Sequence, residues 1–334
     1  MKKSEIEKYI GNQAQIGGTR HYILSDGWGR NLRAIDINSG SGLQYTILPD
    51  RGMDISLASF KGNNLVYLTC NGETHPAFYE SDNFGWLHTF GGGLLTTCGL
   101  THLGPPCIDD GENLGLHGRY STIPAKQVVD LSEWIDDEYH IIIRGVIEDA
   151  VLFGYKLRLV REIKSVRGEN SIEITDTVTN FGSKPSPYSI LYHFNIGYPL
   201  LSENTVLKID TIKTDALNKE GELNIDNFKY FSKPQKKFNE QLFCHTLKSD
   251  FLGYSEALIE NKKLGISFSL KYDTANLPLL MQWKMMGEGE YVLGIEPSNS
   301  ILGSRKDLKE KNILAFLKPN ETTTNRIKIS INSI

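Results

Sequence analysis

The feature that most constrains this chain is a long succession of short runs rich in Ile, Val, Leu and Thr, separated by turn residues, with almost no helical periodicity between them. Leu32 to Ile37 alternates apolar and polar. Leu43 to Leu48 follows after Ser39-Gly40-Ser41-Gly42, and Ile55 to Phe60 ends at Lys61-Gly62-Asn63-Asn64 before Leu65 to Thr69 resumes. Glu138 to Ile147, Tyr155 to Ile163 and Ser171 to Thr179 continue the style, the last two joined through Val166-Arg167-Gly168-Glu169-Asn170, which reads as a hairpin connection. The C-terminal part adds Leu264 to Tyr272, Leu279 to Met286, Tyr291 to Ile295, Ile313 to Leu317 and Arg326 to Ile331, with Gly287-Glu288-Gly289-Glu290 as a turn. Only about the first ten residues carry a helical pattern. Strands at this spacing without intervening helices predict an all-β sandwich or barrel rather than an α/β fold.

The 334 residues hold no Pro/Ser-rich linker, charge block or internal repeat, so one large β domain over 1–334 is expected, with 1–20 as a helical or extended lead-in. A hydrophobic content of 40% is enough for a sizeable core. The formal net charge of −4, with basic residues scattered, gives no electrostatic reason to expect nucleic acid or a membrane as partner. The start is charged and lacks the apolar stretch of a signal peptide. The longest apolar stretch, Tyr188 to Leu201, is broken by His193 and Asn195 and falls short of the ~20 residues that span a bilayer. Cys70, Cys98, Cys107 and Cys244 form no CxxC pair; reduced, mostly buried thiols in the cytoplasm are expected.

Between the strand-rich halves lies Phe84 to Tyr120, punctuated by Gly91-Gly92-Gly93, Gly99, Gly104, Gly111, Gly115 and Gly118 and carrying His88, His102 and His117. In a β protein such a segment reads as the loop region that brings chemistry to a rigid frame. It lacks the spacing of a phosphate-binding loop. Two short motifs stand out beside it. Leu191-Tyr192-His193-Phe194-Asn195 ends an apolar run, and Tyr291-Val292-Leu293-Gly294-Ile295-Glu296-Pro297-Ser298-Asn299 places an acid where a hydrophobic strand meets a proline. Burial of such an acid raises its pKa toward the range of a general base, and a histidine nearby titrates near neutrality. By itself a histidine in a strand is more often a hydrogen-bonded core residue than a catalyst.

His193-Phe194-Asn195 resembles the motif that holds the general acid of the galactose mutarotases, the aldose 1-epimerase superfamily. Val292-Leu293-Gly294-Ile295-Glu296-Pro297 resembles their late Leu-Glu-Pro strand, and Leu116-His117-Gly118 their Leu-His-Gly element, all in the family's order. Glu240-Gln241-Leu242-Phe243 sits loosely where those enzymes have a sugar-binding aspartate. The resemblance implies a large antiparallel β-supersandwich, a small-molecule sugar as partner, and anomer exchange without metal or organic cofactor. His193 would be the acid toward the ring oxygen and Glu296 the base toward the C1 hydroxyl. Positioned acid–base groups of this kind contribute ~10²–10⁴-fold in rate.

The departures bear on the substrate. Arg119 follows Leu-His-Gly, Arg51 lies in Pro49-Asp50-Arg51-Gly52-Met53-Asp54, and Arg305 follows Glu296-Pro297-Ser298-Asn299. Arginine suits bidentate recognition of an anion, although Asp50 and Asp54 offer Arg51 a structural pairing. With Arg-Gly-Met-Asp and Leu-His-Gly-Arg, the chain resembles the uncharacterised, domain-of-unknown-function branch of the superfamily. Expected substrate contacts are then His117, Arg119, Arg51, His102, Glu240, Asn299 and Arg305, to a modified or anionic sugar. A non-catalytic sugar-binding protein would use the same cleft, with Phe84, Trp86, Phe90, Tyr192 and Trp283 either stacking on a sugar face or belonging equally to the core, Trp283 reading more readily as core. A metal site from His88, His102 and His117 is the third reading; the gaps are long and no HxH or HExxH spacing occurs.

Overall fold

A computed structural model describes residues 3–334; Met1 and Lys2 of the lead-in lie outside the described residues. Two antiparallel sheets face each other. The larger, of twelve strands, runs neighbour to neighbour through Gly18–Ile23, Arg33–Asn38, Leu43–Leu48, Asp54–Phe60, Leu95–Leu100, Ser186–Ile196, Glu290–Ser298, Leu279–Gly287, Gln241–Leu247 and Thr211–Ala216, with Asn63–Asn64 and Ala315–Leu317 beside this path. The smaller, of nine, runs through Glu133–Ile135, Glu138–Ala150, Lys156–Val166, Ser171–Asn180, Thr322–Ser333, Ile266–Asp273, Tyr254–Asn261 and Thr205–Ile209, with Lys126–Asp130 on Glu138–Ala150. This is an all-β antiparallel sandwich, as the strand pattern leads one to expect.

The strand pattern follows from which faces are covered. Ser171–Asn180 alternates because Ile172, Ile174 and Val178 meet the larger sheet while the intervening residues face outward. Ser186–Ile196 is buried along its whole length, because Ile190, Tyr192 and Phe194 face the smaller sheet while Leu191, on the opposite face, packs with Trp86 and Phe90 of the Gly-rich segment and with Met281. A strand covered on both faces reads as a continuous apolar run. The sheets are also joined by charge. Arg161 of the smaller sheet is fully buried, bonded to Asp176 beside it and across the interface to Asp54 and the Thr97 hydroxyl.

Several expectations change. Leu65 to Thr69 is not a strand; Val66 and Leu68 make only isolated bridges, to Ile196 and Gly92. The Gly-rich segment is not all loop, since Leu95–Leu100 is a fully buried strand beside Ser186–Ile196. Glu296 does not end its strand, which continues through Pro297 to Ser298. Short helices at Lys219–Leu223 and Arg305–Glu310 add to Lys3–Ile6. The cysteines are all free, but only Cys98 and Cys244 are buried, Cys70 being exposed. Among the described residues no helix is long and apolar enough to cross a membrane.

Candidate active site

Strand register brings the two motifs together. Ser186–Ile196 pairs antiparallel with Glu290–Ser298, Phe194 opposite Ile295 and Leu191 opposite Ser298, so His193 and Glu296 are cross-strand neighbours. Because successive side chains alternate, Phe194 and Ile295 enter the core while His193 and Glu296 emerge together on the opposite face. There His193 Nε2 lies 3.2 Å from Glu296 Oε1. Both residues are buried, and neither Glu296 Oε1 nor His193 Nδ1 has an aligned hydrogen-bond partner.

The Gly-rich segment that covers this face supplies part of the walls of a cleft of about 500 Å³. A 3-10 turn, Gly85–His88, carries Trp86, which stacks on Phe90 at 4.4 Å and donates its indole N–H to Ser121. Phe90 and Trp283 flank His193, each with ring centres 5.6 Å away. His117 closes the group, 4.8 Å from Trp86 and 6.2 Å from His193 by ring centres. It sits at φ 58°, in the left-handed region. Its N–H donates to the Gly104 carbonyl and its carbonyl accepts from Gly99, which hold that conformation. Glu240 stands exposed at the rim and accepts the indole N–H of Trp283 at 2.9 Å. Larger hollows, about 570 Å³ over Tyr22 and Asp36 and about 770 Å³ around Lys208, contain no histidine.

Burial sets the electrostatics. The Glu296 carboxyl is pushed up to about 8, first by desolvation and then by the Glu240 carboxylate. Desolvation, aided by His117, holds His193 down to about 3, and desolvation with a contribution from His102 holds His117 down to about 4. Burial thus favours the uncharged form of each group, a carboxylic acid on Glu296 and a neutral imidazole on His193. A neutral acid and a free imidazole nitrogen in contact form a donor–acceptor couple able to move a proton each way without creating net charge.

Of the predicted contacts, His117 and Glu240 line the same cleft as His193 and Glu296; the others do not. Arg51 is buried and donates to the carbonyls of Thr74 and Thr89, fastening the covering segment to the sheet. Its suggested aspartate partners are taken, Asp50 by Arg33 and Asp54 by Arg161. Arg119 bonds to Asp149 and to the Ala150 carbonyl. Arg305 is buried against Asp109 and Glu112. Asn299 accepts from the Ile190 N–H and donates to the Tyr188 carbonyl, pinning the His193 strand. His102 is buried behind His117 and lines a separate hollow with Arg119. The arginines that suggested an anionic substrate are thus engaged with protein groups outside the cleft. His88 is exposed and pairs with Glu80, and among the described residues no group of three His, Cys, Asp or Glu is placed to hold a metal ion.

The aromatic residues divide, and the core reading of Trp283 is reversed. Tyr192 points into the core, its hydroxyl on Asp176, whereas Trp283 is a cleft wall. Trp283 and Met281 lie two apart on a strand whose Met281 is opposite Glu296, so the alternation that hid them in an apolar run also puts them on the cleft face. Leu217 and Leu242, which also line the cleft, carry no local signal in the sequence.

Comparison with known proteins agrees with the architecture. The chain is similar to the crystal structure of a candidate aldose 1-epimerase from Klebsiella pneumoniae subsp. pneumoniae, with a TM-score of 0.88 and 24% identity over 98% of this chain and 89% of that one. It is similar to a galactose mutarotase-like protein from Clostridium acetobutylicum, with a TM-score of 0.67 and 17% identity over 96% and 100%. A galactose 1-epimerase from Lactobacillus acidophilus gives a TM-score of 0.59 and 13% identity over 95% and 99%. No curated protein matches the sequence. The family model for a domain of unknown function, DUF4432, matches residues 29–331. The chain, a galactose mutarotase-like β-supersandwich, belongs to the DUF4432 family.

Proposed function

We propose that the cleft binds an aldose and exchanges its anomers by acid–base ring opening, an aldose 1-epimerase-like isomerisation. The observation that carries this reading is the 3.2 Å separation of His193 Nε2 and Glu296 Oε1 at the floor of an aromatic-walled cleft. Ring oxygen and C1 hydroxyl are two oxygens on one carbon, and two proton-transfer atoms in contact reach both at once. Glu296, protonated in the free site, gives its proton to the ring oxygen while His193 takes the C1 hydroxyl proton. The C1–ring-oxygen bond breaks and the aldehyde forms. After rotation about C1–C2, His193 returns its proton to the carbonyl oxygen and Glu296 recovers its own as the ring closes on the other face. These roles are the reverse of those implied by the mutarotase resemblance, because burial disfavours both charged forms. The names of the structural relatives support the reaction class.

The test is anomer exchange followed by saturation-transfer NMR across a panel of aldoses. His193→Ala and Glu296→Gln are expected each to lower the catalysed rate by ~10²-fold or more while circular dichroism stays that of the wild type. Exchange retained in either variant contradicts the mechanism. Sugar-dependent thermal stabilisation with no exchange in the wild type would instead make the protein a sugar-binding module.

A further inference from the structure

The cleft is as informative for what it lacks. Among the described residues no lysine or arginine lines it. Besides its two histidines, its ionisable side chains are acids alone: Glu240 at the rim and, at the floor, Glu296, whose charged form burial disfavours. The polar side chains left to recognise a ligand are few. His193 and Glu296 are committed to proton transfer in the reading proposed above, on which this inference rests. Gln282 is occupied by His245 and by the Phe228 carbonyl. That leaves His117 and one oxygen of Glu240, whose other oxygen holds Trp283. The remaining walls are aromatic and aliphatic, and Phe84 and Leu87 extend them outward as exposed apolar side chains at the mouth.

A fully hydroxylated aldohexose entering such a space would strip water from more hydroxyls than the side chains can satisfy, and each unpaired hydroxyl disfavours binding. An anionic sugar would lose its hydration and meet only like charge. We infer that the cleft selects a neutral aldose with an apolar edge, one that lacks a ring or exocyclic hydroxyl or carries an alkyl substituent in its place, and that Glu240 works against anionic sugars. The aromatic walls pack on the deoxygenated edge, while the few polar groups are enough for the hydroxyls that remain.

The inference is tested with matched sugars: D-galactose, 6-deoxy-D-galactose, 2-deoxy-D-galactose and D-galacturonate, and the same four in the gluco series. Binding is read by thermal stabilisation and turnover by saturation-transfer NMR. At least one deoxy sugar is expected to half-saturate at a roughly tenfold lower concentration than its parent hexose, as the gain of one apolar contact in such a pocket allows. The uronates should be the weakest, by roughly tenfold or more against the parent. Glu240→Gln should narrow the gap between uronate and parent. Uronates binding as tightly as the hexoses, or hexoses binding more tightly than every deoxy counterpart, overturns the inference. If the sugars stabilise the protein in the expected order with no exchange, the selectivity stands and the catalytic reading fails. Exchange with uronates preferred has the opposite meaning. Stabilisation by none of the eight overturns both.

Discussion

At the scale of single residues, the site rests on a carboxyl that the fold keeps protonated. Glu296 binds its proton more tightly folded than unfolded, so its contribution to stability is present below the ordinary carboxylate range and is lost as pH rises toward about 8. His193 has the opposite sign. Its folded pKa is depressed to about 3, so the stability it allows is present above the ordinary imidazole range and is lost as pH falls below it. Stability should therefore be greatest in the mildly acidic window between the two. Glu296→Gln removes the first dependence, and thermal melts should show it more stable than the wild type at pH 8 by the order of a few kcal/mol, with little difference near pH 4. A wild type that melts higher than the variant at pH 8 would count against a buried neutral acid. The histidine and the glutamate were legible in the sequence because each sits in a motif with its own strand context. The arginines misled, because Arg51, Arg119 and Arg305 look alike as free cations in sequence and only the folded chain shows that carbonyls and carboxylates already hold them.

At the scale of elements, the site is a matter of register. One residue of slip between Ser186–Ile196 and Glu290–Ser298 would turn either His193 or Glu296 into the core. Gly294 makes room in this arrangement: a Cβ there would fall 2.3 Å from Glu296 Oε1 and 2.9 Å from the Trp283 Cβ. Gly294→Ala should thus displace the carboxyl and the cleft wall together. Exchange should drop by tenfold or more, on the scale set by small misplacements of catalytic groups, while the melting temperature shifts by only a few degrees. Unchanged exchange in this variant would mean that the position of Glu296 is not critical. Strands buried on one face, such as Ser171–Asn180, announce themselves by alternation. Gly18–Ile23, Lys126–Asp130, Thr205–Ile209, Thr211–Ala216, Gln241–Leu247 and Tyr254–Asn261 do not. Thr211–Ala216, for example, is an edge strand with Lys213 and Asp215 outward and no sealed face, which suits an edge and blurs the pattern. Leu95–Leu100 was hidden by the glycines around it, which mark close backbone approach rather than loop.

At the scale of the whole molecule, the sheets share one core and a buried charge network. Arg161 reaches from the smaller sheet to Asp54 and Thr97 of the larger while holding Asp176 beside it. Arg161→Met would leave two aspartates buried without their cation, and urea denaturation should show a loss of about 3–5 kcal/mol. A loss below ~1 kcal/mol would mean that the network is dispensable to the sandwich. The supersandwich itself was readable because strand density without helices leaves few architectures. The cleft was not, because its walls come from segments as distant as Trp86, Leu217 and Trp283, which only the closed fold assembles. On the function proposed above, His193 and Glu296 pass protons to and from a sugar held in the cleft. The measurement that bears on it most directly is the pH dependence of catalysed anomer exchange by saturation-transfer NMR, with an aldose that stabilises the protein. Exchange should saturate with sugar, stay level through neutrality and fall as pH rises past about 8, where the pair loses its proton. A rate no greater than the uncatalysed one, or one that climbs through pH 8, would contradict it.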